Sequence, residues 1–206
     1  RLHVQMADRF GKWARRLECS YTPAAMLSSV APPKEPRPYW GGEGTFYEAA
    51  RYGNEWIINN YLLYQYGIAL HGPEFRELTG PVQVEEVQKA CIRDLFQEWE
   101  PKANDPGWFQ NSHFASYFVL NLCRILHTVM SKDVSPKKTA AAWTKARYGE
   151  PWRSLIETAE DWRYGTELNI FDPAIAFLNF VVDEVSKTGL YRGLADEIGG
   201  LPRRSG

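Results

Sequence analysis

The chain has 206 residues, of which 44% are hydrophobic, and its formal net charge is −1 at pH 7. This is enough apolar sequence for a globular protein with a buried core. The balanced charge excludes the basic surface that duplex DNA or an anionic membrane requires, so we expect no nucleic-acid or membrane partner, and any phosphate has to be bound by a few local cations.

The three cysteines, Cys19, Cys91 and Cys123, are far apart and lie in apolar contexts. Such cysteines are usual in a reducing compartment, and their spacing does not match a zinc motif. The sequence contains neither a signal-peptide pattern nor an apolar run of transmembrane length. These features predict a soluble, cytoplasmic protein.

The first 45 residues mix several local patterns. Residues 1–15 have the spacing of an amphipathic helix, and residues 17–22 alternate as a strand does. A single strand leaves its backbone groups unpaired, and the sequence offers no obvious partner strand. Residues 30–45 contain four prolines and three glycines, so we expect a linker there that forms neither a helix nor a central strand.

Helical periodicity dominates the chain after the linker. The spacing of apolar residues predicts six helices, at residues 54–66, 83–99, 112–130, 136–147, 151–164 and 172–189. We therefore expect a mainly α protein whose C-terminal part is a helical bundle with short connections. The predicted domain limits are an N-terminal segment at 1–30, a linker at 31–50 and the bundle at 51–206.

The most apolar of these helices carries a polar stripe. Four residues fall at helical spacing on one face, namely Tyr117, Asn121, Arg124 and Thr128. Burying an unpaired guanidinium costs several kcal/mol, so Arg124 has to reach water, meet an anion in a cleft, or pair with a carboxylate of a neighbouring helix. The periodicity does not distinguish a ligand-binding role from that ion pair.

A second cationic feature is the segment Ser135-Pro136-Lys137-Lys138. Ser135 is a typical N-cap and Pro136 suits the first position of a helix. Lysines in a first turn are repelled by the positive end of the helix unless an anion lies among them. The segment is typical either of a phosphate site or of two solvated lysines, and its loop of about five residues allows it to approach Arg124.

Other polar residues give weaker signals. His113 and His127 lack a second ligand at metal-binding spacing, and the glycines at 41, 42 and 44 match no nucleotide-binding fingerprint. Glu18 lies within the strand pattern at residues 17–22, and a carboxylate at the edge of a strand can bind a metal or remove a proton. An isolated glutamate is, however, usually an ordinary exposed residue.

Taken together, residues 120–126, 135–143 and 155–159 resemble the C-terminal helical domain of aminoglycoside adenylyltransferases, of the streptomycin/spectinomycin 3''-adenylyltransferase type. Residues 67–73 resemble a helix-ending segment of that family. Residues 17–21 resemble the last carboxylate-bearing strand of its nucleotidyltransferase domain. The resemblance implies a helical bundle preceded by a short helix-strand remnant of an α/β nucleotidyltransferase domain.

The resemblance also implies a reaction, in which AMP passes from ATP to a hydroxyl of an aminoglycoside-like amino sugar with the help of Mg²⁺. Glu18 then falls on the glutamate that acts as general base and metal ligand. Arg124 and Lys137 fall on the cations that hold the nucleotide phosphates. Arg163 falls on a nucleotide-contacting tyrosine, with Tyr164 beside it.

The acceptor pocket of the family is only partly matched. Its Gly-Glu-Trp motif corresponds to residues 42–44, which retain Glu43, and Asp105 is the acidic residue that remains before the Arg124 helix. We therefore expect Glu43 and Asp105 to bind the cationic acceptor. The missing acidic residues argue against streptomycin, so another hydroxylated amine, or no antibiotic at all, is also open as the acceptor.

The Gly-Ser element and the Asp-x-Asp metal motif of the family are absent from the sequence. Because metal ions neutralise much of the charge in nucleotidyl transfer, we expect this polypeptide to be inactive alone and to need an upstream catalytic half. One alternative is a non-catalytic helical module that binds a ligand or a protein, and another is a homologue that binds nucleotide but transfers nothing. The oligomeric state is not predicted.

Overall fold

The computed structural model describes residues 2–27, 30–41 and 45–198. Its contacts divide the chain into two compact units, Arg1–Val82 and Gln83–Gly206. The first unit holds a small sheet and short helices, and the second is helical, so the predicted mainly α fold with a helical C-terminal part is confirmed. The partner strands of the sheet were not predicted. The domain limits 1–30, 31–50 and 51–206 remain a prediction.

The N-terminal helix is interrupted. The prediction of one helix over residues 1–15 was wrong, because α1 (Leu2–Phe10) and α2 (Lys12–Arg16) are separated at Gly11. Gly11 has a φ of 54°, in the left-handed region that glycine enters without steric cost and that a continuing helix does not use. The local periodicity therefore located the helical residues but not the break.

A three-stranded antiparallel sheet follows, with the order β1-β2-β3. The strands are β1 (Cys19–Ser20), β2 (Arg37–Trp40) and β3 (Phe46–Ala50). In the pairing register, Ser20 lies opposite Tyr39, and Tyr39 lies opposite Tyr47. The strand predicted at 17–22 is thus present but shorter.

The central strand lies in the segment that was expected to be a linker, so that expectation was wrong. Proline is tolerated in a sheet where the ladder is irregular, because its missing N–H is not needed there. Pro38 lies at such a point, between Arg37 and Tyr39 where the register with β3 shifts. Its carbonyl still accepts a hydrogen bond from the Tyr21 amide at 3.0 Å.

The first unit also contains a short 3-10 turn (Ala24–Met26), α3 (Glu55–Tyr66) and α4 (Phe75–Leu78). Helix α3 confirms the prediction at 54–66. It ends at Gly67, whose amide bonds to the Leu63 carbonyl at 2.9 Å. Helix α4 was not predicted, because four residues are too few to show a helical period.

The second unit contains all the other predicted helices. They are α5 (Val84–Asp94), α6 (Ser112–Ser131), α7 (Lys137–Tyr148), α8 (Trp152–Asp161) and α9 (Phe171–Ser186). After α5 the chain forms a π-helical turn (Leu95–Trp99), which is followed by two 3-10 turns (Glu100–Asn104 and Trp108–Gln110). Helix α10 (Gly189–Ile198) was not predicted.

Helix α6 is the centre of the second unit and packs against α5, α7, α8 and α9. Its side chains Phe118, Leu122 and Leu126 are fully buried. Two buried side-chain hydrogen bonds fix it further, from Gln88 Nε2 to the Val129 carbonyl at 2.7 Å and from Ser116 Oγ to the Ala159 carbonyl at 2.8 Å. A helix held on so many sides presents its remaining face at a fixed position.

Among the described residues, the structure contains no helix with both the length and the apolar character needed to span a membrane.

Candidate functional site

The polar stripe of α6 is the scaffold of the candidate site. Asn121 is buried and its Nδ2 donates to the Tyr117 carbonyl one turn earlier at 2.7 Å. The Tyr117 ring is 39% exposed. Arg124 follows Tyr117 by seven residues, close to two helical turns, so both side chains lie on the same face of α6.

Arg124 is half-buried. Its positive charge acts on Cys91 of α5: burial, and then the Asp94 carboxylate, raise the pKa of the Cys91 thiol to about 12, and Arg124 opposes this rise. Within residues 2–27, 30–41 and 45–198, no ion pair joins Arg124 to a carboxylate. In that part of the chain, the structure therefore does not support an ion pair as the explanation for Arg124.

The start of α7 supplies the second cation. Lys137 and Lys138 both lie in its first turn, as the sequence predicted, but the cap prediction was wrong. Pro136 occupies the cap position, and Ser135 Oγ donates to the Asp133 carboxylate at 2.6 Å instead. A carboxylate is a stronger acceptor than a neutral group, which explains why the serine hydroxyl bonds to it.

The first residue of α7 contacts α6 at Tyr117. The Lys137 Nζ lies 3.7 Å from the centroid of the Tyr117 ring, within the range of a cation–π interaction. The ammonium of Lys137 thus lies against the same face of α6 that carries Arg124. Two cationic side chains therefore belong to one surface of the second unit, and their role in binding phosphate stays a prediction.

Tyr117 also belongs to a group of aromatic side chains near the start of α6, which the sequence analysis did not predict. The ring of His113 lies 5.8 Å from Phe114, 6.2 Å from Tyr117, 5.4 Å from Trp162 and 5.6 Å from Tyr164, as measured between ring centroids. We call these five residues the His113 cluster. Three of them are on α6 at neighbouring positions and two follow α8, so only the packing of α8 against α6 brings them together.

Arg163 lies beside this cluster, just after the end of α8. Its Nη1 donates to the carbonyls of Glu160 at 2.9 Å and Trp162 at 2.8 Å. Such bonds satisfy carbonyl groups that the end of a helix leaves without partners. The guanidinium has five N–H donors, so two such bonds do not exhaust it, and its nucleotide-binding role remains a prediction.

The remaining predicted site residues are placed as follows. Glu18 is exposed in the first unit, directly before β1, and its Oε2 accepts a hydrogen bond from Tyr39 Oη at 3.4 Å. Asp105 is exposed in the second unit, and its Oδ1 accepts from the Trp108 amide at 3.2 Å, which supports the turn there. Glu43 lies outside the described residues. The catalytic and acceptor-binding roles of these three residues stay predictions.

No group of three or more histidine, cysteine, aspartate or glutamate side chains suitable for a metal ion occurs among the residues that the structure describes. The role of Glu18 as a metal ligand stays a prediction. His127 is buried against Trp143, with 5.0 Å between ring centroids, and its Nε2 lies 3.9 Å from Asp133 Oδ2. Burial lowers the pKa of His127, and Asp133 partly opposes that change.

Comparison with known proteins gives one family. The family model of the aminoglycoside adenylyltransferase C-terminal domain matches residues 78–188, which is more than half of the chain. No curated protein sequence matches the chain. The matched segment contains α5 to α9 and hence the Arg124 and Lys137 surface. The chain therefore belongs to the family defined by the aminoglycoside adenylyltransferase C-terminal domain.

Proposed function

We propose that this protein acts in the ATP-dependent transfer of AMP to a hydroxyl of an aminoglycoside-like amino sugar, and that its second unit binds the nucleotide phosphates. One observation carries the proposal: the Lys137 ammonium lies 3.7 Å from the ring of Tyr117, on the face of α6 that also carries the half-buried Arg124. The family membership supports the same class of reaction.

The chemistry of this face suits a polyphosphate. Arg124 offers a planar fork of N–H donors, and Lys137 offers a compact charge that can approach phosphate oxygens from another direction. Lys137 is also at the first position of α7, where backbone N–H groups have no partners within the helix. Charged hydrogen bonds of this kind contribute about 1.5–3 kcal/mol each.

In the proposed reaction, the acceptor hydroxyl attacks the α-phosphorus of ATP. The bond from that phosphorus to the bridging oxygen breaks, so AMP is joined to the acceptor and pyrophosphate leaves. Arg124 and Lys137 stabilise the negative charge that develops on the leaving pyrophosphate. Glu18 accepts the proton of the acceptor hydroxyl.

The other predicted residues contact the acceptor and the nucleotide. Glu43 and Asp105 pair with ammonium groups of the amino sugar, and Arg163 contacts the nucleotide. Mg²⁺ is the metal that the resemblance implies. Glu18 would be one of its ligands and the bound ion would neutralise charge on the phosphates, although no group of three or more metal-ligating side chains occurs among the described residues.

The test is calorimetric titration of ATP into the 206-residue chain and two variants. Lys137→Ala should weaken ATP binding by roughly ten- to a hundredfold, the loss of one charged hydrogen bond. Lys138→Ala is the matched control, since it removes the same charge from the same turn at an exposed position. It should change the affinity by less than about threefold, as expected of a screened surface charge.

Equal affinities of the two lysine variants would contradict the phosphate assignment. That result would leave the helical binding module as the better explanation of the fold. Arg124→Gln should weaken ATP binding as strongly as Lys137→Ala, and a thermal melt of each variant would show whether the fold is retained.

A further inference from the structure

We propose that Tyr117 is a positioning residue for Lys137: its ring holds the ammonium on the face of α6 that carries Arg124. The inference rests on the proposed function, because it concerns how the phosphate site is arranged before the nucleotide binds. It assigns a role to an aromatic residue that makes no charged contact with a nucleotide itself.

The first argument is the geometry of the contact. The Lys137 Nζ lies 3.7 Å from the Tyr117 centroid, close to the shortest separation that an ammonium and a ring face allow. The ring is itself held, because Trp99 lies 5.8 Å away and His113 lies 6.2 Å away, centroid to centroid. Contacts with these two rings restrict the Tyr117 side chain, so its ring offers a defined surface for the ammonium.

The second argument concerns the helix end. An ammonium in the first turn of α7 is repelled by the positive end of the helix dipole. The negative face of an aromatic ring compensates for that repulsion when no anion is present. The ring therefore explains how Lys137 keeps its place in a turn where a cation is otherwise unfavourable.

The third argument concerns side-chain freedom. A lysine has four rotatable bonds, and ordering it on binding a ligand costs conformational entropy. If the ammonium already lies near its binding position, less of that cost falls on ATP binding. Lys138 in the same turn is exposed, whereas Lys137 is half-buried, so the ring contact distinguishes the two lysines.

The experiment measures ATP affinity for three ring variants of the 206-residue chain. Tyr117→Phe keeps the ring face and should bind ATP within about twofold of the wild type. Tyr117→Leu removes the face and should weaken binding by about three- to tenfold, the range expected from loss of a partly exposed cation–π contact. Replacing Tyr117 by pentafluorophenylalanine keeps the shape but reverses the charge distribution of the ring, and should weaken binding as Leu does.

A double variant tests whether Tyr117 acts through the lysine. In the Lys137→Ala background, Tyr117→Leu should cause no further loss of ATP affinity. An additional loss there, or a loss in Tyr117→Phe as large as in Tyr117→Leu, would overturn the positioning role. The fluorinated variant keeps the proposal testable if Tyr117→Leu does not fold.

The two proposals fail in different ways. If Lys137→Ala binds ATP like the wild type, the phosphate site itself is wrong. If Lys137→Ala weakens binding but both Tyr117→Leu and the pentafluorophenylalanine variant do not, the phosphate site stands and only the positioning role of Tyr117 is wrong.

Discussion

The two units of the chain differ in where their aromatic and apolar side chains lie. Among the described residues of the first unit, many large apolar side chains are exposed, including Trp13, Phe46 and Leu70. In the described part of the second unit, the exposed large apolar side chains are Phe114, Tyr117 and Tyr164, and all three belong to the His113 cluster. Grouped exposed apolar side chains are typical of interaction surfaces, so the His113 cluster is a candidate surface of this kind. The three residues named in the first unit come from different parts of that unit.

The units also differ in what holds them together. The second is organised by the buried apolar residues of α6 and its neighbours. The centre of the first is polar, because the buried Arg37 donates to Ser20 Oγ at 2.7 Å and to the Arg51 carbonyl, and pairs with Glu55 at 3.5 Å. One arginine thereby ties β1, β2, the end of β3 and α3 together where the apolar core is small.

The largest expected effect tests the contrast between the two cores. Phe118 is fully buried, with Trp99, Trp108 and Phe109 around its ring, so Phe118→Ala should lower the free energy of unfolding by about 3–5 kcal/mol. Phe46 in the first unit is 48% exposed, and Phe46→Ala should cost less than about 1 kcal/mol. Urea denaturation compares the variants, and equal losses would remove the contrast.

A second prediction concerns the polar centre of the first unit. Arg37→Ala should cost roughly 2–4 kcal/mol, because the charged hydrogen bonds to several elements are lost together. Arg37→Lys should recover less than half of this, since one ammonium cannot replace the guanidinium fork.

Amide hydrogen exchange shows which part of the chain loses stability in Arg37→Ala. Faster exchange should be confined to the first unit, while α6 to α9 keep their protection. Arg153→Ala is the control, because Arg153 forms an exposed pair with Glu150 at 4.0 Å that should contribute less than about 0.5 kcal/mol. Uniformly faster exchange in both units would contradict the separate roles of Arg37 and the apolar core.

A third prediction uses the cysteines. Burial raises the pKa of both Cys91 and Cys123 in the second unit to about 12, whereas Cys19 in the first unit is half-exposed. A thiol reagent at pH 7.5 should therefore modify Cys19 at least roughly tenfold faster than the other two, because it requires an accessible thiolate. Mass spectrometry after labelling identifies the modified cysteine, and Cys19→Ser should remove the fast reaction. Fast labelling of Cys123 would show that the second unit opens more readily than its packing implies.

The smallest effect is a pH dependence. Burial lowers the pKa of His127 from its usual 6.5, so below about pH 6.5 the unfolded chain binds a proton that the folded chain does not. The free energy of unfolding should fall as pH decreases from 7 toward the folded-state pKa. In His127→Gln the melting temperature should change less with pH, and the difference from the wild type should be about 2 °C or less. His71→Gln, at an exposed position of the first unit, should leave the profile unchanged.

Much of the helical architecture was predictable because each helix has its own local signals. Helices α3, α6 and α7 begin and end close to their predicted limits, and each has a clear apolar period or a terminating glycine. The sheet was not predictable from the same kind of evidence. Its central strand contains Pro38, which local rules exclude, and the irregular register with β3 at that residue makes the proline tolerable.

The candidate site divides in the same way. The spacing of residues on α6 identified the Arg124 stripe, and the first-turn lysines identified Lys137, because both features depend on one helix each. The His113 cluster and the contact between Lys137 and Tyr117 join residues from different helices, so no local pattern indicates them.

The sequence by itself determined which segments are helical, which cations are placed unusually and which family the chain resembles, since periodicity, capping and motifs are properties of neighbouring residues. The tertiary structure decided that a proline-rich segment completes a sheet and that Lys137 lies on the Tyr117 ring. The physical reason is that packing between elements selects among local alternatives that have similar free energies.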